Sequence, residues 1–272
     1  MQQIKYAPTV AILQRHGCPI HYWVEGSKDK PAVVMIHGAT LDHHMFDTQI
    51  ASLLGDYRVV TLDMRGHGDS RPMGRAFTVP EAVDDLAAIL DELGVHCAIL
   101  LGQSTGGYVA QEFFFRFPSR VQALIMVDCI CITLKISYFD TLMLNMTPAL
   151  LAMYPYKMLK RQTAAKSAIE VHVQAYIEQA VSRLSKEDFI TIWKGIARCL
   201  HYEPNHRITC PILLVRGEHD KLGNIAKSAL EWVIRDHCQY VIIPDAGHCS
   251  NSDNPRFFNN VLLKFLNELP QD

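Results

Sequence analysis

The sequence predicts an α/β fold: a mostly parallel central sheet flanked by helices, with a helical cap inserted into it. Three observations carry the prediction. Stretches at 32–36, 58–62, 98–101, 121–127, 212–215 and 239–243 are largely apolar along their length rather than alternating, as strands buried on both faces must be. Between several of them lie helical stripes, the clearest at 79–93, with apolar residues at 79, 82, 83, 86, 89, 90 and 93. From about 130 to 207 the strand pattern vanishes and helical stretches dominate, which reads as an insertion. The expected organisation is a core of residues 1–130 and 207–272 with a cap of residues 131–206.

At 272 residues, a chain buries roughly three quarters of its extended surface on folding. Hydrophobic residues make up 49% and charged residues 20%, the balance of a soluble globular protein. The net charge of −2 shows no electrostatic footprint for nucleic acid or an anionic membrane. A small molecule is the expected partner, and monomer and homodimer both stay open. The first 17 residues hold one short apolar run, 10–13, far below a signal-peptide core or a membrane span, so a cytoplasmic location is expected. Eight cysteines are scattered without a CxxC pair, as free, largely buried thiols are in a reducing compartment. Cys129 and Cys131 have strand spacing and would share one face, where packing is favoured over metal binding. No cofactor and no metal site is expected.

Taken in order, 10–24 alternates with a break at Gly17-Cys18-Pro19, predicting two antiparallel strands with Ile20, Tyr22 and Val24 on one face. The strand at 32–36 ends in His37-Gly38-Ala39-Thr40, a loop able to turn back over the sheet and to offer the Ala39 amide to an oxyanion. His37, His43 and His44 are read as loop-packing or surface residues. A short helix at 46–54 and a strand at 58–62 lead to the polar, glycine-punctuated loop 63–70. Helix 79–93 closes at Gly94, and its Asp84-Asp85 pair is read as solvated surface, because adjacent helix positions do not face each other.

The centre of the chain is Gly102-Gln103-Ser104-Thr105-Gly106-Gly107, between a buried strand and a helix at 108–117 that Pro118 stops. Glycines around a serine at such a turn are what a nucleophile elbow requires, because strand and helix approach closely there. The Thr105 amide then lies at a helix N-terminus, where it can stabilise an oxyanion. After strand 121–127, which ends at Asp128, the cap is expected to hold helices at 138–146, 148–160, 164–184 and 186–200. Tyr138, Met153, Tyr154 and Trp193 are its candidates for the wall of an apolar pocket. Lys157, Lys160, Arg161 and Lys166 are read as a solvated face, with a membrane-docking lid as the lesser alternative. Two later strand ends deliver Asp220 and His248, and a terminal helix at 255–269 follows.

Together these motifs resemble the α/β-hydrolases of the capped esterase, enol-lactonase and carbon–carbon hydrolase type, over residues 20–270. His37-Gly38 resembles the oxyanion loop, and Asp63-Met64-Arg65-Gly66-His67-Gly68-Asp69-Ser70 the D-x-R-G-x-G-x-S loop of many members. Residues 102–106 match the elbow, 217–220 the acid loop and 247–248 the histidine loop. The resemblance implies Ser104 as nucleophile, His248 as base and Asp220 as its orienting acid, with Asp128 at the alternative acid position and Asp220 favoured. It departs from the pattern at Lys221-Leu222-Gly223-Asn224, which lacks the usual proline, and at Thr105, where an apolar residue is usual. Epoxide hydrolases and haloalkane dehalogenases resemble this fold but place an aspartate at the elbow. The implied activity is hydrolysis of a carboxylic ester or lactone with a small to medium apolar portion. Carbon–carbon bond hydrolysis of a dienoate-type diketo acid, peracid formation, and a ligand-binding or receptor role on a hydrolase fold are the alternatives.

Overall fold

A computed structural model describes residues 8–223 and 225–270. Expectations that touch residues 1–7, Asn224 and 271–272 lie outside the described residues. The apolar runs form strands: β1 (Thr9–Arg15), β2 (Cys18–Glu25), β3 (Ala32–Ile36), β4 (Arg58–Leu62), β5 (Ala98–Gln103), β6 (Val121–Val127), β7 (Ile212–Gly217) and β8 (Gln239–Ile243). They make one sheet in the order β1-β2-β4-β3-β5-β6-β7-β8. β2 is antiparallel to both β1 and β4, and every other pairing is parallel.

The helices are α1 (Asp47–Leu53), α2 (Val79–Glu92), α3 (Thr105–Arg116), α4 (Tyr138–Met153), α5 (Tyr156–Ser167), α6 (Val171–Ser182), α7 (Lys186–Ile196), α8 (Ile225–Asp236), α9 (Ser250–Asp253) and α10 (Pro255–Asn267). Alternate residues of each central strand feed opposite faces of the sheet. Val34, Leu100, Met126 and Leu214 pack with Leu86 of α2, Phe113 of α3 and Trp232 of α8. Val33, Leu101, Ile125 and Val215 pack with Leu53 of α1 and Phe258 and Leu262 of α10. Both faces are covered, which is why these strands read as apolar without alternation.

β3 lies between β4 and β5, so the direction in which successive strands are added reverses at β3. The crevice beyond the carboxyl ends of strands at such a switch point is where open α/β sheets bind ligands. Pairings Ile36↔Gly102, Gln103↔Val127 and Gly217↔Ile243 bring the ends of β3, β5, β6, β7 and β8 to one edge. Because β6 pairs with β7, helices α4 to α7 are an insertion between neighbouring strands.

The insertion departs from the helix limits expected from sequence. Pro148 sits inside α4, which runs on until Tyr154, extended before Pro155, ends it. The single helix expected at 164–184 is two, because tertiary hydrogen bonds take the backbone between them. Asp253 accepts from the Ile169 and Glu170 amides, and the Cys249 amide donates to the Ser167 carbonyl. Asp85 is a further correction: it is buried, receiving Nε and an amino nitrogen of the fully buried Arg65 at 2.7 Å each, while Asp84 stays exposed. Cys129 and Cys131 lie beyond the end of β6 rather than on a strand face.

Candidate active site

β5 delivers Ser104 to the carboxyl edge of the sheet in a conformation that L residues rarely adopt, φ 50° and ψ −114°. Its amide donates to the Val127 carbonyl at 2.8 Å, which locks the turn onto β6. The flanking glycines are required by contact. A Cβ on Gly106 would lie 1.9 Å from the Ile36 carbonyl oxygen, and one on Gly102 would lie 2.4 Å from the Gly106 carbonyl oxygen. α3 begins at Thr105, so the Thr105 N–H belongs to the unsatisfied first turn. Among the described residues neither this N–H nor that of Ala39 finds a protein acceptor.

Opposite Ser104, the loop after β8 places His248 with Nε2 at 3.0 Å from Ser104 Oγ. On the other side of the ring, Nδ1 lies 3.0 Å from Asp220 Oδ2, brought by the loop after β7. The second Asp220 oxygen accepts from the Leu222 amide at 2.9 Å. Burial pulls the His248 pKa down, but the Asp220 hydrogen bond and the charges of Asp220 and Asp128 outweigh it, and the net shift is upward. This is an arrangement in which a hydroxyl can pass its proton to an imidazole whose tautomer a carboxylate sets.

Asp128 is fully buried beside these groups but binds backbone instead of the imidazole. Its Oδ1 accepts from the Gly217 amide at 2.7 Å and its Oδ2 from the Ser250 amide at 2.9 Å. It thereby ties the start of the acid loop to the segment just after His248. Desolvation raises its pKa to about 7. Gln103 does similar work from the elbow, donating Nε2 to the His248 carbonyl at 2.6 Å, and Asp253 accepts from the Gly247 amide at 2.8 Å. The sequence marks Asp128 only as an alternative acid and singles out neither Gln103 nor Asp253 as a site residue. Asp128 and Asp253 fill carboxylate positions next to the motifs, but their backbone partners carry no side-chain signature.

The loop 63–70 is a scaffold for the crevice. Asp63 accepts from the amide and ring Nδ1 of His43 and from the Asp69 amide, and Gly68 leaves room for its carboxylate. His37 donates Nδ1–H to the Gly38 carbonyl and accepts the Met64 amide at Nε2, so both ring nitrogens are spent on the loop. His67 is fully buried, and desolvation pushes its pKa down to about 3. Of the cap candidates, Tyr138 and Met153 are 85% and 81% exposed and Tyr154 46% exposed, whereas Trp193 packs against both hydrophobic clusters. Glu218, His219 and Asp245 hold ligand-type atoms within 4.8 Å of one another, but all three are exposed, as such groups commonly are without an ion.

Known proteins are similar to this chain across most of its length. Human epoxide hydrolase 4 is 24% identical over 280 residues, covering 93% of this chain and 76% of its own. The 3-oxoadipate enol-lactonase 1 of Acinetobacter baylyi is 23% identical over 270 residues, covering 96% and 98%. A thermophilic esterase from Thermogutta terrifontis superposes with a TM-score of 0.81 at 22% identity, over 97% of this chain and 98% of that one. The alpha/beta hydrolase family model matches residues 33–261, from the second residue of β3 into α10, and the chain belongs to that family.

Proposed function

We propose that this hydrolase cleaves a carboxylic ester or lactone through Ser104, His248 and Asp220. The observation that carries the reading is the relay of two 3.0 Å contacts, from Ser104 Oγ to His248 Nε2 and from His248 Nδ1 to Asp220 Oδ2, on a strained elbow. Ser104 attacks the carbonyl carbon while His248 takes its proton, and Asp220 stabilises the imidazolium. The amides of Ala39 and Thr105 hold the tetrahedral oxyanion, and removing one such donor costs about 3 kcal/mol in comparable enzymes. His248 returns the proton to the leaving oxygen, and water then deacylates Ser104 with the same base. In this reading residues 131–206 cap the crevice, fastened to the core by Asp253 and by Tyr176, whose hydroxyl lies 3.0 Å from Asp42 Oδ1.

The similarity to an enol-lactonase and an esterase supports this class of bond. An epoxide hydrolase that works from an elbow carboxylate forms an alkyl ester with its epoxide, whereas this chain has a serine at the elbow. Labelling with a fluorophosphonate, read by intact mass, tests the proposal with Ser104→Ala and His248→Ala as controls and nitrophenyl esters of rising chain length as substrates. One adduct on the wild type, absent in Ser104→Ala, with steady turnover, is expected. A folded wild type that neither labels nor turns over any ester would sink it.

A further inference from the structure

The insertion is fastened unevenly to the core. The segment from α5 to α6 is tied down by Asp253 and Tyr176, and Arg183 after it pairs with Asp69 and with Asp42. α4 packs against α7, and Pro148 is its one buried residue. Phe139 is 67% exposed, and Met143, Met146, Leu150 and Met153 are exposed along with it. These five recur at intervals of three and four residues, so they form one apolar stripe along the helix. A continuous stripe of this kind marks an interaction surface, unlike apolar residues scattered singly.

The stripe runs directly into basic ground. Between residues 138 and 167 the chain has Lys157, Lys160, Arg161 and Lys166 against the single acid Asp140, although the whole chain is net −2. Lys157 and Arg161 share with Pro155, Met158 and Ala165 the wall of an open depression of about 530 Å³. An apolar ridge that leads into a cation-rich helix complements anionic lipid headgroups: the apolar side chains enter the interface and Lys157 and Arg161 meet phosphates, while Asp188 of α7 acts on the Tyr156 side of α5. No helix among the described residues is long and apolar enough to cross a membrane, so the contact is with a surface.

We propose that the α4–α5 face seats this protein on an anionic phospholipid surface. The test is co-sedimentation of the full chain with vesicles of phosphatidylcholine alone and with vesicles in which part of it is replaced by phosphatidylglycerol. Preferential pelleting with the anionic vesicles, weakened by salt, is expected. Each cation near the surface contributes about fivefold to partitioning, so Lys157→Glu/Arg161→Glu should weaken it by at least roughly tenfold. Met146→Asp/Met153→Asp should weaken it as well, with the thermal unfolding midpoints of both variants unchanged because all four side chains are exposed. Equal pelleting with neutral and anionic vesicles, no pelleting, or wild-type binding by both variants would overturn the proposal. So would a dimer in light scattering that Met153→Asp dissolves, which would assign the face to a second copy. The readout involves no catalysis, so its failure leaves the ester-hydrolase reading untouched.

Discussion

The two buried carboxylates near His248 invite a direct comparison, Asp220→Asn against Asp128→Asn. In the first, the amide oxygen stays on the Leu222 N–H, which Asp220 Oδ1 now accepts, and the new NH₂ takes the place of Oδ2 facing His248 Nδ1. The imidazole must then accept at Nδ1 and carry its proton on Nε2, so it cannot receive the Ser104 proton. A wrong tautomer of this kind costs about ten-thousandfold in kcat in a comparable triad. Asp128→Asn leaves the His248 ring contacts alone but sets an NH₂ against either the Gly217 or the Ser250 amide, both of which the carboxylate now accepts. One hydrogen bond is lost and one buried N–H is left unpaired, a cost of about 1–3 kcal/mol that is partly offset because the amide carries no charge for burial to disfavour. Burst-free steady-state kinetics on a nitrophenyl ester at pH 8, with urea unfolding of the same samples, separates the two. The expected pattern is a large kcat loss at near-normal stability for Asp220→Asn, and a shifted urea midpoint with kcat held within about tenfold for Asp128→Asn. The reverse pattern would make Asp128 the acid and refute the geometric assignment.

Three other outcomes follow from the same structure. Asp85→Ala strands the fully buried Arg65 guanidinium, leaving it Glu81 at 3.5 Å, and should cost about 3–5 kcal/mol in urea unfolding; a loss below about 1 kcal/mol would show that the pair is solvated after all. His67 binds its proton only near pH 3 when folded but near 6.5 when unfolded, so the unfolded state holds more protons in that window and stability falls as pH falls through it. By pH 5 the loss from this residue is about 2 kcal/mol, and His67→Asn should flatten the acid side of a stability–pH curve by that amount; an unchanged slope would count against a buried neutral imidazole. Gly106→Ala drives a methyl into the Ile36 carbonyl, which is backbone and cannot swing away, so it should cost about 3 kcal/mol or more and abolish fluorophosphonate labelling. A stable, fully labelled variant would mean that the elbow can draw away from β3 at little cost.

The central strands were legible because burial on both faces leaves a composition that no loop shares, and the edge strand β8 keeps an apolar run although Gln239 and Ile242 are exposed. β3, β4, β6 and β8 have the limits that their apolar runs predict. Ser104 and the meeting of Asp220 and His248 were legible for a related reason: each follows a strand at the same edge of the sheet, and glycines mark the close approaches. Helix limits in the insertion were not, because periodicity runs straight through Ser167 to Val171. What breaks it there is Asp253, more than eighty positions away, accepting the Ile169 and Glu170 amides.

Asp85 shows why charge in a sequence is so easily misread. On α2 it is one of two adjacent acids, and only one of the pair can face the core. The choice is made by Arg65, twenty residues earlier, whose guanidinium is buried under the 63–70 loop and must be neutralised there. The same logic separates Asp128 from Asp220. Both are acids at strand ends, and in the sequence it is the match of residues 217–220 to the acid loop that favours Asp220. The decision lies in position: Asp128 faces the Gly217 and Ser250 amides, whereas Asp220 takes the Leu222 amide on one oxygen and faces His248 Nδ1 with the other. A carboxylate that bridges two main-chain segments is a brace, and one that faces a ring nitrogen can set a tautomer.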